Sequence, residues 1–483
     1  MECLGGLLAL VSTILVKLAT TGTRIVGLIA TLSLLVALLS GCGTIPNAEQ
    51  IIHMEVLHLQ NPRFVGPHGT LTREQGQRII ATIQSHQETP TDILQRHLGF
   101  EQAISDVPLV VGNKVTLLKN AGTTFPAMLA AIRGAQDNIN LEMYILSDGQ
   151  IGQMCANALI ERAHHGVKVN VIYDSLGSLN TPASFFNNMR SNGIAVVAFN
   201  PLSPFEARHW SLRQLTHRDH RKLLIVDGRT AFTGGINVSD VYASGLRSSE
   251  PGTPLAYWRD TDVEVNGPAA AEFQKLFIHD WYQQGGIPLD QHRYFPKVPA
   301  QGGQIVRVIG SVPQQFSLIY VDFISAVVNS ETNVFITDAY FTPDRQMRRA
   351  LRQAARHGVD VRLLLPSQSD EPFIVSAQRA HYHGLLKAGV KIYEWSGKML
   401  HAKTSTIDGV WSTVGTSNLD WWSIARDNEV NAIVLGHKFG DEMNLMFKND
   451  LEDSQQIELV QWDQRSLLER VRETFAELIE PLL

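Results

Sequence analysis

Two stretches hold residues whose types and spacing can do chemistry: HRKLLIVDGRTAFTGGIN, starting at His220, and HAKTSTIDGVWSTVGTSN, starting at His401. Aligned without a gap, His220, Lys222, Asp227, Gly228, Gly234 and Asn237 recur as His401, Lys403, Asp408, Gly409, Gly415 and Asn418. At about 5% usage per residue type, six such identities arise by accident with a probability of order ~10⁻⁸ per placement. The chain therefore carries an internal duplication of a chemical device. A neutral imidazole can attack phosphorus, and a protonated one can give its proton to a departing alkoxide. An ammonium is a point charge suited to non-bridging phosphate oxygens, and losing one such contact to developing charge costs about 3–4 kcal/mol.

The spacing says how these groups are presented. KLLIVD and KTSTID read as strands, and alternate side chains of a strand share a face. His220 and Lys222 are therefore expected to project together, as are His401 and Lys403. Asp227 and Asp408 stand farther along, and the expectation is that they orient an imidazole rather than touch substrate. Gly234, Gly235 and Gly415 let backbone approach the site. Asn237 and Asn418 can donate amide hydrogens to phosphate oxygens. Thr416, aligned with Gly235, keeps a hydroxyl beside them. A second echo follows each motif: RDTDV at 259–263 and RDNEV at 426–430, which aligns Asp262 with Glu429.

Elements able to position these residues are readable around both motifs. In the first copy, helical periodicity over 124–136 precedes a strand at 139–146. A helix at 151–164, a buried strand at 167–174, a helix around 184–191 and the strand IAVVAF follow. The second copy repeats the order, with strand 334–341, helix 345–356, strand VDVRLLLP, helix 380–387 and strand VKIYEW. Such alternation predicts an α/β architecture with a largely parallel sheet in each half. Two similar halves with one motif each predict a shared cleft. The first copy carries a Gly/Ser/Pro-rich insertion at 241–257, either a lid or a surface insertion. An amphipathic helix over 465–483, with Leu467, Leu468, Val471, Phe475 and Leu478, is expected to pack into the core.

At 483 residues the chain is too long for one core. The reading divides it into a leader (1–42), an N-terminal extension (43–107), repeats at 108–300 and 301–450, and a C-terminal helical segment (451–483). A net charge of −6 provides no global basic field for nucleic acid. The three cysteines, Cys3, Cys42 and Cys155, form no zinc-spaced cluster and no disulfide framework. Apolar runs at 4–16 and 25–39 fall below the ~20 residues of a spanning helix and suit a signal-peptide core. The second run ends Leu39-Ser40-Gly41-Cys42, which resembles a lipobox, so a lipidated Cys42 and a cell-envelope location are expected. Two short transmembrane helices are the alternative. Gly43 lacks the aspartate of an inner-membrane retention signal, which hints at the outer membrane.

The paired HxKx4D motifs resemble the phospholipase D superfamily. EMYILSDG, YDSLGS, WRDTDV, YFTPD, YHGLLKAGVKIYEW and NEVN bring residues 108–483 closest to its cardiolipin synthases and related bacterial phosphatidyltransferases. The resemblance implies two repeats about a pseudo-two-fold axis, gathering His220, Lys222, Asn237, His401, Lys403 and Asn418 around one phosphate. It implies His220 as nucleophile, His401 as acid and base, and Glu429 supporting a motif histidine, with Asp262 its counterpart. No cofactor or metal enters such a mechanism. Membrane phospholipids are the implied substrates, phosphatidylglycerol first, with an alcohol as acceptor. Water as acceptor would make the protein a phospholipase. A nuclease would need a basic groove, and a non-enzymatic scaffold would need one motif eroded.

Overall fold

The structure is a computed structural model that describes residues 45, 47–48, 50–52, 62–84, 93–202, 216–243, 258–289, 294–312 and 317–479. Cys42 and most of the 241–257 insertion lie outside the described residues. Short strands Phe64–Gly66 (β1) and Gly69–Thr70 (β2) open the N-terminal extension, followed by helices Arg73–Gln84 and Ile93–Ile104. The first repeat holds Leu109–Lys119 (β3), Asn138–Met143 (β4), Lys168–Asp174 (β5), Ala195–Phe199 (β6), Lys222–Val226 (β7), Thr230–Gly234 (β8), Trp258–Arg259 (β9) and Thr261–Asn266 (β10). The second holds Gln304–Ser311 (β11), Asn333–Thr337 (β12), Asp360–Pro366 (β13), Lys391–Trp395 (β14), Met399–Leu400 (β15), Thr404–Ile407 (β16), Trp411–Gly415 (β17), Glu429–Leu435 (β18) and Ser454–Ile457 (β19).

Pairing gives the first repeat the strand order β6-β5-β4-β7-β8-β10-β3, and the second the matching order β14-β13-β12-β16-β17-β18-β11. In each half only the first three strands run parallel. The rest are antiparallel, so the sheets are mixed where a largely parallel sheet was expected. The reason is local: the motif strand turns back on itself in a hairpin instead of crossing over through a helix. The predicted crossover helices are present as Gln150–His164, Ala183–Ser191, Arg345–Arg356 and Tyr382–Leu386. Gly166, Gly193, Gly358 and Gly389, all at positive φ, follow these four helices and turn the chain into the next strand.

Antiparallel pairing of β3 with β11 joins the halves into one sheet of seventeen strands among the described residues. A buried apolar layer also spans them: Leu223, Ile225, Val263 and Phe277 from the first half meet Val308, Val414, Val430 and Phe439 from the second. The N-terminal extension packs on the second repeat. Leu94 and Leu98 join the core around Ile319, Phe323 and Trp411, and Glu101 accepts from Trp411 Nε1 at 2.6 Å and Arg307 Nη1 at 2.8 Å.

The Asp-Gly of each motif closes the hairpins β7–β8 and β16–β17. Asp227 (φ 53°) and Gly228 (φ 60°) lie between Val226 and Arg229, whose N–H donates to Val226 O at 3.0 Å. Asp408 (φ 55°) and Gly409 (φ 64°) repeat this turn. Two consecutive positive φ values define a turn of the I′ kind, which Asp-Gly favours.

Candidate active site

His220 stands just ahead of β7, and His401 and Lys403 stand just ahead of β16, so the expected strand begins later than the histidine, yet each His and Lys pair lies together. Lys222 Nζ reaches back to His220 O at 2.7 Å, and Lys403 Nζ reaches His401 O at 2.6 Å. Lys403 Nζ also stands 3.1 Å from both ring nitrogens of His401, so it lies over the ring. Both lysines are almost wholly buried.

Each imidazole is held by a carboxylate from the opposite half. His220 Nδ1 is 2.9 Å from Glu429 Oε1, and His401 Nδ1 is 2.8 Å from Asp260 Oδ2. Buried hydrogen bonds to a charged group contribute about 1.5–3 kcal/mol each. With Nδ1–H donated to the carboxylate, Nε2 of either ring keeps its lone pair for the cleft. The second echo therefore needs correction. By sequence Asp262 aligns with Glu429, but strand register pairs Asp262 with Gly234 and Asn431 with Gly415. Asp260 is thus the counterpart of Glu429, and Asp262 the counterpart of Asn431. The backbone agrees: His401 N donates to Arg259 O, and His220 N donates to Asn428 O. Asp262 instead accepts from Ile236 N at 3.1 Å.

Asp227 and Asp408 touch neither motif histidine, contrary to the expected orienting role. Asp227 accepts from the backbone N–H groups of Gln136 (2.9 Å), Asp137 (2.8 Å) and Asn138 (3.0 Å), clasping the hairpin to the start of β4. Asp408 does the same with Glu331, Thr332 and Asn333, and also meets His97 Nε2 at 3.0 Å. The reason is the turn itself, which carries the carboxylate to the far end of the strand from the histidine.

The remaining expected residues divide. Asn237 accepts from Ile145 N (3.0 Å) and donates to Tyr242 Oη (3.0 Å). Asn418 Nδ2 is 3.4 Å from Ser423 Oγ, and its Oδ1 has no partner among the described residues. Thr416 does not present its hydroxyl to the cleft; Oγ1 donates to Glu429 Oε2. At the equivalent Gly235, an added Cβ would fall 2.1 Å from Asp260 Oδ1, so glycine here leaves room for that carboxylate. Gly234 and Gly415 are excluded from carrying a side chain in the same way, by Asp262 and Asn431.

Aromatic rings missed by the motif reading wall the site. Tyr144 meets His220 edge-on at 5.0 Å and Tyr340 meets His401 edge-on at 5.9 Å, so each motif histidine has a tyrosine beside it. Tyr242 (5.7 Å) and Trp258 (5.3 Å) crowd His401 alone. By strand register the two tyrosines are one residue out of step, Tyr144 matching Ala339 and Ile145 matching Tyr340, so a tyrosine shortly past β4 and past β12 was the available signal. Beneath His220, the buried carboxylates of Glu142, Asp219 and Asp280 gather within 4.8 Å of one another, and Arg221 bonds Asp280 at 2.6 Å. Burial and mutual repulsion raise Glu142 well above the usual range and Asp219 to about 8.

Electrostatics prepare the site for an anion. Burial, with help from Lys222, pushes His220 down to about 3 against the pull of Glu429. Burial raises Glu429, but His220 and Lys222 more than offset it and hold the carboxyl below its ordinary value. Burial and the Lys403 charge push Lys222 down to about 7 against Glu429. His401 is lowered by burial and by Lys403, and Lys403 by burial. Both rings are therefore neutral at rest, and two desolvated ammonium groups repel each other across the halves. A phosphodiester placed between them would relieve that repulsion.

Two α/β repeats sharing one site of paired histidines and lysines define a class of phosphodiester-transfer proteins. The family described as "Cardiolipin synthase, PLD-like domain" matches residues 128–281 and 323–451. The cardiolipin synthase of Geobacillus thermodenitrificans is 32% identical over 394 residues, 80% of this chain and 75% of that protein. Cardiolipin synthase 1 of Bacillus anthracis is 34% identical over 376 residues, 76% of this chain and 72% of that one. The crystal structure of phosphatidylserine synthase from Haemophilus influenzae superposes with a TM-score of 0.59 at 12% identity, covering 81% of this chain and 99% of that chain. The last is a likeness of fold. The chain belongs to the PLD-like cardiolipin synthase family. It is an enzyme of the phosphatidyltransferase type that acts on phospholipids.

Proposed function

We propose that the enzyme transfers a phosphatidyl group from phosphatidylglycerol to the free alcohol of a second phosphatidylglycerol, giving cardiolipin and glycerol through a phosphohistidine. One observation carries this reading. Two imidazoles, His401 buried and His220 largely so, each donate Nδ1–H to a carboxylate of the other half, leaving two Nε2 atoms and two ammonium groups for one phosphodiester. His220 Nε2 attacks phosphorus, the N–P bond forms and the P–O bond to glycerol breaks. His401, protonated once the anion has raised its proton affinity, gives its proton to the departing oxygen. The neutral His401 then takes the proton of the acceptor hydroxyl, whose oxygen attacks phosphorus and frees His220. Lys222, Lys403, Asn237 and Asn418 hold the non-bridging oxygens. Glu429 and Asp260 fix the tautomers and stabilise each imidazolium.

The membrane arrangement is part of the same proposal. Cys42, lipidated as the mature N-terminus, tethers the enzyme to the periplasmic face of a bacterial membrane. Mass measurement of the mature N-terminus tests it, and an unprocessed Met1 would overturn it. The catalytic reading is tested with the purified enzyme and phosphatidylglycerol in detergent micelles. Cardiolipin plus glycerol is expected. Phosphatidic acid would instead assign hydrolysis. His220→Ala and His401→Ala should each abolish turnover, and wild-type rates in either variant would sink the shared-site mechanism.

A further inference from the structure

The C-terminal amphipathic helix, Leu467–Ile479, has the opposite orientation to the one its sequence suggests. Ala476 and Glu473 face inward, while Leu467, Leu468, Val471 and Phe475 are 80%, 79%, 66% and 55% exposed. A stripe of large apolar side chains turned to solvent marks a binding surface.

Its position says what covers it. Tyr340, which meets His401 edge-on, packs with Ile374 of the helix Pro372–Ala380. On its other side that helix shares a cavity of about 340 Å³ with the C-terminal helices, lined by Ser376 and Arg379 opposite Trp462, Arg465 and Glu473. The exposed stripe is therefore one helix removed from a reacting histidine. Other apolar side chains stand exposed on segments that contribute to the site: Phe373 precedes Ile374 and Val241 precedes Tyr242. Leu179 follows Ser178, whose hydroxyl donates to Tyr144 O at 3.2 Å.

We propose that this stripe lies in the surface of the phospholipid bilayer and turns the mouth of the active site toward the lipids it consumes. The inference rests on the phosphatidyl-transfer reading, in which both reactants arrive from a bilayer. A tether at the N-terminus would hold the enzyme near the membrane without orienting it; a docked helix supplies orientation. A second copy of the chain fits less well. A helix of 13 residues is about 20 Å long, and the four exposed side chains of one stripe fall short of the ~800 Å² per partner in a stable interface. The polar face mixes Arg470 and Arg472 with Glu469 and Glu477, so apolar insertion carries the attachment.

The test uses the full chain and the triple variant Leu468→Glu, Val471→Glu, Phe475→Glu, which keeps good helix formers. Cardiolipin formation is measured on vesicles of phosphatidylglycerol and phosphatidylcholine, and on a short-chain phosphatidylglycerol below its critical micelle concentration. The variant should lose about ten-fold or more on vesicles and change less than about two-fold on the monomeric lipid. Equal loss on both substrates, or no loss on vesicles, would overturn the proposal. So would a wild-type dimer that the variant converts to a monomer in gel filtration. A readout free of catalysis separates this idea from the mechanism. In the His220→Ala protein, amide exchange over 467–479 should slow when the same vesicles are added, and unchanged exchange would refute docking even if turnover is as proposed.

Discussion

Asp260, between β9 and β10, and Asp262, within β10, are two residues apart and have different consequences. Asp260 holds His401 Nδ1, whereas Asp262 caps a backbone N–H. Asp260→Asn is expected to lower kcat by about 100-fold or more, because the amide no longer fixes the tautomer or stabilises the imidazolium. Asp262→Asn keeps its acceptor oxygen and should leave kcat within a few-fold of wild type. Steady-state kinetics of both variants checks this, and equal losses would restore the alignment-based assignment. The lysines give a second expectation. Lys222 sits at about 7, far below an ordinary lysine, so its positive charge is present below that pH and lost above it. Binding of an inorganic anion such as tungstate should therefore be tighter at pH 6 than at pH 8.5. Calorimetric titration at the two pH values measures the difference, and an unchanged affinity would mean Lys222 stays charged.

At the scale of elements, the hairpin explains why the motif contains aspartate and glycine at all. Asp227 serves two functions, entering positive φ and accepting three backbone N–H groups at the start of β4. Asp227→Ala leaves those amides partly unsatisfied and is expected to cost about 2–3 kcal/mol of stability. A thermal melt should drop by several degrees while kcat, measured where the variant is still folded, stays near wild type. Collapse of kcat in a well-folded variant would return Asp227 to the chemistry. Much at this scale was legible. The crossover helices and buried strands emerged from periodicity; the HxK pairs do come together, although His220, His401 and Lys403 stand just ahead of their strands. Two things were not. Amphipathicity shows that the C-terminal helix has two faces but not which is buried, and here the small Ala476 and Glu473, which is ion-paired with Arg465, take the inside. Identity between RDTDV and RDNEV fixed an alignment two residues out of step, because hydrogen-bond register, invisible in a string of letters, decides which residue faces a histidine.

For the whole molecule, the sheet continuous through β3–β11 and the apolar layer shared by both halves couple the repeats. Urea unfolding should show one transition by fluorescence and circular dichroism alike; two separated transitions would mean independent halves. Its midpoint should depend on acid. His217, His220 and His401 all titrate below an ordinary imidazole, mainly because of burial, so the unfolded chain binds more protons once the pH passes below about 6.5. Stability is then fully present above that value and is lost as the pH falls, toward about 3 for His220. Each histidine contributes a slope of up to about 1.4 kcal/mol per pH unit. The raised carboxyls of Glu142 and Asp219 act in the opposite sense over the same range, so the variant His220→Gln isolates the histidine contribution. The stability of wild type relative to His220→Gln should be greater at pH 7.5 than at pH 5, and an unchanged difference would refute it.

The exchange of carboxylates between halves has a further consequence during biosynthesis. The first repeat emerges with His220 but without Glu429, which is made some two hundred residues later. A nascent or proteolytically separated half thus carries an imidazole with no fixed tautomer and only one of the two ammonium groups. It cannot trap a phosphatidyl group that it would be unable to release. Reactivity switches on only when the last third of the chain has docked, so the crossed pairing acts as a completeness check, written into the fold, on an enzyme whose substrate is the membrane itself.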